Sequence, residues 1–173
     1  MRWQSLIFVA ALLCPAVAVA QSNRGPSTIA ERDRALTAIA DLELHPLGDK
    51  AQEERSWLLR WLTEVPDVHV LTCILVPGLG KGSNRTGSLI LFQMMAGGAR
   101  YAIEHKDEPD NPVAQFQAGV RSGLRAYEMV VAANPNNRQA GMEEVLQLSK
   151  AGELDAWVAQ RVATVCMSAP KGR

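Results

Sequence analysis

The chain has 173 residues, 47% of them apolar and 21% charged, with 18 basic side chains against 18 acidic ones. That is the size of one domain. No long run of one sign occurs, which argues against a nucleic-acid binder, with its concentrated basic face, and against a highly charged disordered chain.

The first twenty residues read as a secretory signal peptide and not as part of the fold. Arg2 is the short positive start, "LIFVAALLC" the apolar core, and Ala18 and Ala20 the small residues before a cleavage point. The apolar stretch is short for a membrane span, which needs about 20 apolar residues. A retained N-terminal anchor is the rival reading. Cleavage after Ala20 leaves 153 residues with a formal charge of −1, because Arg2 leaves with the signal. A chain of that size buries about 68–70% of its unfolded surface, enough for a real core. The expected location is periplasmic or extracellular, with no membrane span in the mature chain. Cys14 goes with the signal, so Cys73 and Cys166 remain. An even pair in an exported chain is expected as a disulfide. Two buried free thiols are the alternative.

Residues 21–27, "QSNRGPS", are polar and are expected to form a flexible lead-in to a helical domain over 28–167. "TIAERDRALTAIADLEL" carries the first helical pattern, and Thr28 with Glu31 fits a capping box. "HPLG" ends it, since Pro46 lacks a donor and Gly48 relaxes the backbone. Asp49 is expected to cap the second helix, in which Trp57, Leu58, Trp61, Leu62 and Val65 recur at helical spacing. Trp57 and Trp61 form a large apolar anchor, expected in the core; the sharper reading is an exposed aromatic platform for a ligand.

"VHVLTCILV", residues 68–76, is rich in β-branched residues and favours a strand. A strand needs a partner, and no second run of this kind follows. The expectation is an extended buried segment or a short helix, held by Cys73. Residues 87–104 then read as a helix apolar on most sides, which places it centrally. Gly97 and Gly98 inside it each cost roughly 1 kcal/mol against alanine. They make sense where another helix crosses closely. After the polar turn "HKDEPDNP", Asn111 caps a fourth helix with Pro112 at its first position. Val113, Phe116, Val120, Leu124, Tyr127 and Val131 carry its rhythm to "NPNN". A fifth helix is expected from about Arg138 to Lys150 and a sixth to about Val165, separated at Gly152. "SAPKGR" is a tail. Five or six helices with short connections make an all-α, bundle-like single domain.

"PGLGKGSNRTGS", residues 77–88, has the look of a phosphate-binding loop. The motif G-x-x-x-x-G-K-[ST] fails at both ends, with Leu75 where the first glycine belongs and Gly82 where the hydroxyl belongs. The alternating strands of a nucleotide-binding sheet are also missing. A weaker anion site at Lys81 and Arg85, just before a helix start, is the remaining functional reading. The three histidines are scattered. His69 and Cys73 are two ligands at most, short of the four a structural zinc needs. Glu104, Asp107, Glu108 and Asp110 share a turn without the oxygen-ligand spacing of a calcium loop. No cofactor or metal is expected.

Residues 124–158 resemble one tetratricopeptide unit, with Tyr127, Pro135 and Gly152 near that pattern's aromatic, proline and glycine positions. The stretch departs at Val130, where the family has a small residue, and at Gly141, where it has an early tryptophan. "YAIEHKDEPDN" and "YEMVVAANPNN" are 26 residues apart, not the 34 of true repeats. The resemblance implies helical-hairpin packing and a protein-interaction role. Trp57, Trp61 and Tyr127 are the side chains on which such a binding surface would rest. No motif unites a nucleophile, a base and an oxyanion donor. The leading expectation is thus a non-catalytic binding or structural domain of the cell envelope, whose partner is a protein if it has one. An interaction module is the second reading. The third is a hydrolase-type enzyme with a scattered site, for which His69, His105, Glu104 and Lys81 are the first residues to test.

Overall fold

The computed structural model describes residues 24–80 and 85–167. The expected signal peptide, Lys81 and the tail lie outside the described residues. Six helices follow in order: α1 (Ile29–Leu44), α2 (Ala51–Glu64), α3 (Arg85–Glu104), α4 (Pro112–Ala133), α5 (Ala140–Ala151) and α6 (Leu154–Arg161). A short 3-10 turn, Pro135–Asn137, joins α4 to α5, and a π-helical turn, Val162–Cys166, follows α6. No strand occurs among the described residues, and no helix there is long and apolar enough to cross a membrane.

Local chemistry sets most boundaries. The Thr28 hydroxyl accepts from the Glu31 N–H while the Glu31 carboxylate accepts from the Thr28 N–H, so the capping box is closed. Asn111 accepts from the Ala114 N–H at 3.1 Å, with Pro112 at the first helical position. Gly152 ends α5 at φ 75°, a conformation that a Cβ disfavours. Asp49 does not cap α2: Lys50 holds the cap position with no side-chain bond, because the turn closes backbone to backbone from Ala51 N–H to the Gly48 carbonyl. The lead-in is tied down from Arg24 onward. Arg24 pairs with Glu31 and Glu64, and the buried Ser27 donates its N–H and hydroxyl to Asp67 at 2.7 and 2.8 Å.

The two longest helices, α3 and α4, form the most extensive helix pair. They divide the core into two clusters. One gathers Leu75, Ile90, Val120, Leu124, Tyr127, Met142, Val145 and Val158; the other gathers Ile39, Leu42, Leu58, Trp61, Val65, Ala99 and Ile103. α3 contributes to both, as its all-round apolarity requires. Gly97 sits at the crossing, where a Cβ would lie 2.5 Å from Ser122 Cβ and 2.8 Å from the Ala118 carbonyl.

Residues 68–76 are an extended strap laid across α3 and α4. It solves the missing-partner problem without a second strand. Leu71 N–H donates to Gln115 Oε1, and Gln115 Nε2 donates to the His69 carbonyl, both at 3.0 Å. Further along, the Arg161 guanidinium donates twice to the Leu75 carbonyl, at 2.8 and 3.1 Å. Side chains from α4 and α6 thus satisfy backbone groups that a sheet would otherwise pair. Cys73 of the strap and Cys166 of the π-helical turn stand at disulfide distance, with Cα atoms 5.9 Å apart.

Candidate functional site

Beneath the strap lies a cavity of about 300 Å³. Its walls are Met94, Met95 and Phe92 from α3, Phe116 and Val120 from α4, and Leu75 from the strap. Leu59, Leu71 and Ile74 also line it and are exposed, so the cavity opens to solvent through an apolar rim. Gly98 and Gly119 keep backbone at its floor, and Cys73 borders it. The polar lining consists of Thr72 and Gln115, and Gln115 is committed to the strap and to the Pro109 carbonyl at 2.6 Å. The size falls at the lower end of small-molecule sites, which are apolar with few polar groups. Two methionines and two phenylalanines give a deformable wall.

The side chains singled out by sequence go elsewhere. Trp61 and Tyr127 are buried in the two core clusters, so neither presents a surface. Trp57 stacks on Trp61 with ring centroids 6.0 Å apart, and the Arg34 guanidinium lies over the Trp57 ring, 3.8 Å from its centroid. The Tyr127 hydroxyl donates to Glu143 and accepts from the Gln139 N–H, which fixes the α4–α5 joint. Burial first, then the bond to Glu143, raises the Tyr127 phenol above its usual value. Arg85 stands in the first turn of α3, exposed, beside a shallow cleft that also contains Arg55, Ser56 and Ser88. Burial, with the charge of Arg85 added, lowers the Arg55 guanidinium from its usual value.

The histidines do not converge. His45 pairs with Asp41, and His69 lies 3.7 Å from Asp110; all four groups are exposed. His105 stacks on Tyr101 and contacts its carbonyl at 3.1 Å. Glu104 and His105 are sequence neighbours but line different clefts. Among the described residues, no group of three or more His, Cys, Asp or Glu side chains could hold a metal ion.

Compared with protein families, with curated proteins and with solved structures, the chain matches none. The tetratricopeptide likeness of 124–158 therefore rests on its local hairpin. There Pro135 opens the 3-10 turn and Gly152 closes α5. The departure at Gly141 has a steric cause: a Cβ there would collide with the carbonyl of Pro77, just after the strap.

One polar network escaped the sequence pattern. Glu43, whose side chain is 7% exposed, accepts from Ser122 Oγ at 2.6 Å and from Arg125 Nε and a terminal nitrogen at 2.7 Å each. Gln93 donates to Ser122 and to the Ile39 carbonyl, which extends the network across α1, α3 and α4. Burial pushes the Glu43 carboxyl up, but the bonds from Arg125 and Ser122 and the charges of Arg100 and Arg125 outweigh it and hold the group below its usual value. A depressed carboxyl adds stability above its unfolded value and loses it as pH falls through the folded value. Melting temperature is expected to fall from pH 5 toward pH 3, and Glu43→Gln to flatten that slope while lowering stability at neutral pH. An unchanged slope in E43Q would mean that other carboxylates, such as Asp67, carry the acid limb. The sequence signal for this network was a lone acid, Glu43, between Leu42 and Leu44.

Proposed function

We propose that the mature chain is an exported, non-catalytic binding domain of the cell envelope that takes a small aliphatic ligand, such as a medium-length acyl chain, into the cavity beneath the strap. The cavity carries the reading: a core-adjacent void with an exposed leucine–isoleucine rim has the chemistry of a ligand site. An unbranched chain suits walls built of Met94, Met95, Phe92 and Phe116, which offer dispersion contacts and few hydrogen-bond groups. The signal-like first twenty residues and the cysteine pair at disulfide distance support export. The bridge that those cysteines form would hold one side of the site in place.

Displacement of the fluorescent probe 1-anilinonaphthalene-8-sulfonate by decanoate and decanol tests the site. Both are expected to compete saturably with the mature protein's bound dye. Ile74→Glu, on the exposed rim, is expected to weaken them at least tenfold with the melting temperature unchanged. Failure of both ligands to compete, or equal competition in I74E, would remove the cavity from function.

A further inference from the structure

On the other side of the α3–α4 pair lies a second cleft, of about 310 Å³, that shares no lining residue with the apolar cavity. Arg100 reaches it from α3 and Arg121 and Arg125 from α4, with Tyr101, His105 and Gln117 beside them. Arg121 and Arg125 are four apart and so share a helix face. Among the described residues, the only acid lining the cleft is Glu43, at its base.

The charges there do not balance. Glu43 faces two arginines, and its Oε1 already accepts from Ser122 and Arg125 when Arg100 approaches it at 3.2 Å. Arg100 has a side chain 23% exposed, and that carboxylate oxygen is its one charged partner among the described residues. A guanidinium carries five N–H donors in a fork that matches an oxyanion. Arg121 is held from the rim by Asp155, at 2.5 and 2.7 Å from one terminal nitrogen to the two carboxylate oxygens. The base of the cleft therefore keeps an excess positive charge that is partly screened from water. Gly97, Ala114 and Ala118 leave room above it.

We infer that this cleft is a binding site for a small oxyanion, phosphate or carboxylate, received by Arg100 with Arg121 and Arg125 beside it. The anion completes the coordination that Glu43 begins. Charge-assisted, two-pronged bonds of this kind are the strong ones. Binding here is independent of the aliphatic site, because the two clefts open on different faces of the helix pair.

Titration of the isotopically labelled mature protein with inorganic phosphate and, separately, with succinate at low ionic strength tests the inference. Saturable amide shifts are expected at Tyr101, Gln117 and Arg121, and the two arms tell a phosphate site from a carboxylate site. Arg100→Met is expected to weaken binding at least tenfold while Glu43 keeps Arg125 and Ser122. Should R100M fail to fold, Arg121→Gln, at an exposed position, decides instead, with an expected loss of about threefold or more. Absence of saturable shifts with both anions, or an unchanged affinity in the deciding variant, overturns the inference.

Discussion

Reduction of residues 21–173, or the double substitution Cys73→Ser with Cys166→Ser, is expected to lower the stability of the fold by about 4–5 kcal/mol. The figure follows from the sequence separation of 93 between the two cysteines, a loop whose closure removes conformational freedom from the unfolded chain. For a domain of this length that is a fall of roughly 10–15 °C in melting temperature. It is a large share of the about 5–15 kcal/mol by which domains are stable. Cys73 is fixed to the strap and Cys166 to the turn after α6, so the pair joins the middle of the chain to its end. The helices keep their caps and apolar faces without it, so the reduced protein is expected to stay helical at low temperature by circular dichroism. The strap keeps its bonds to Gln115 and Arg161 and loses its third anchor. Binding of decanoate is therefore expected to weaken under reduction before the fold melts. Identical melting with and without reductant, or two alkylated cysteines in unreduced protein, would show free thiols instead.

The helical architecture was legible because its signals are local. Thr28 with Glu31, Asn111 with Pro112, and Gly152 each act within one turn of the chain, so a sequence reader sees the whole interaction. The strap was half legible. Its extended form agreed with its β-branched residues, but its stabilising partners lie far off in sequence. Gln115 is 44 residues from Leu71, and Arg161 is 86 from Leu75. Nothing in a linear pattern links a glutamine to a strap, and the burial of Gln115 beside Phe116 shows only in the fold. The cavities were not legible at all. One is the space left where α2, α3, α4 and the strap meet, the other lies among α1, α3 and α4, and a space has no sequence signature of its own. The aromatic residues illustrate the converse. Trp61 and Tyr127 attract attention as ligand platforms, yet their size makes them the most effective core fillers, and the fold uses them so.

Gly97→Ala and Gly98→Ala are expected to change stability in opposite directions, although the residues are adjacent on one helix. At Gly97 the new methyl would stand 2.5 Å from Ser122 Cβ and 2.9 Å from Gly119 Cα, distances that only a shift of α4 can relieve. Such overpacking costs about 1–3 kcal/mol. The helix-propensity gain of an alanine, at most about 1 kcal/mol, offsets only part of it. The shift would also disturb Ser122, and through it the bonds to Glu43 and Gln93, so the expected net loss is about 1–2 kcal/mol. At Gly98 the nearest atoms are Val70 Cγ1 at 3.5 Å and the Gln115 carbonyl at 3.6 Å, ordinary contact distances. There the propensity term acts almost alone, and a gain of about 0.5–1 kcal/mol is expected. Because Gly98 also forms part of the aliphatic cavity, its alanine should trim the cavity and weaken decanoate while stabilising the protein. Urea unfolding of both variants measures the two signs directly. Equal effects would mean that α3 and α4 do not cross as closely as the Gly97–Ser122 approach requires.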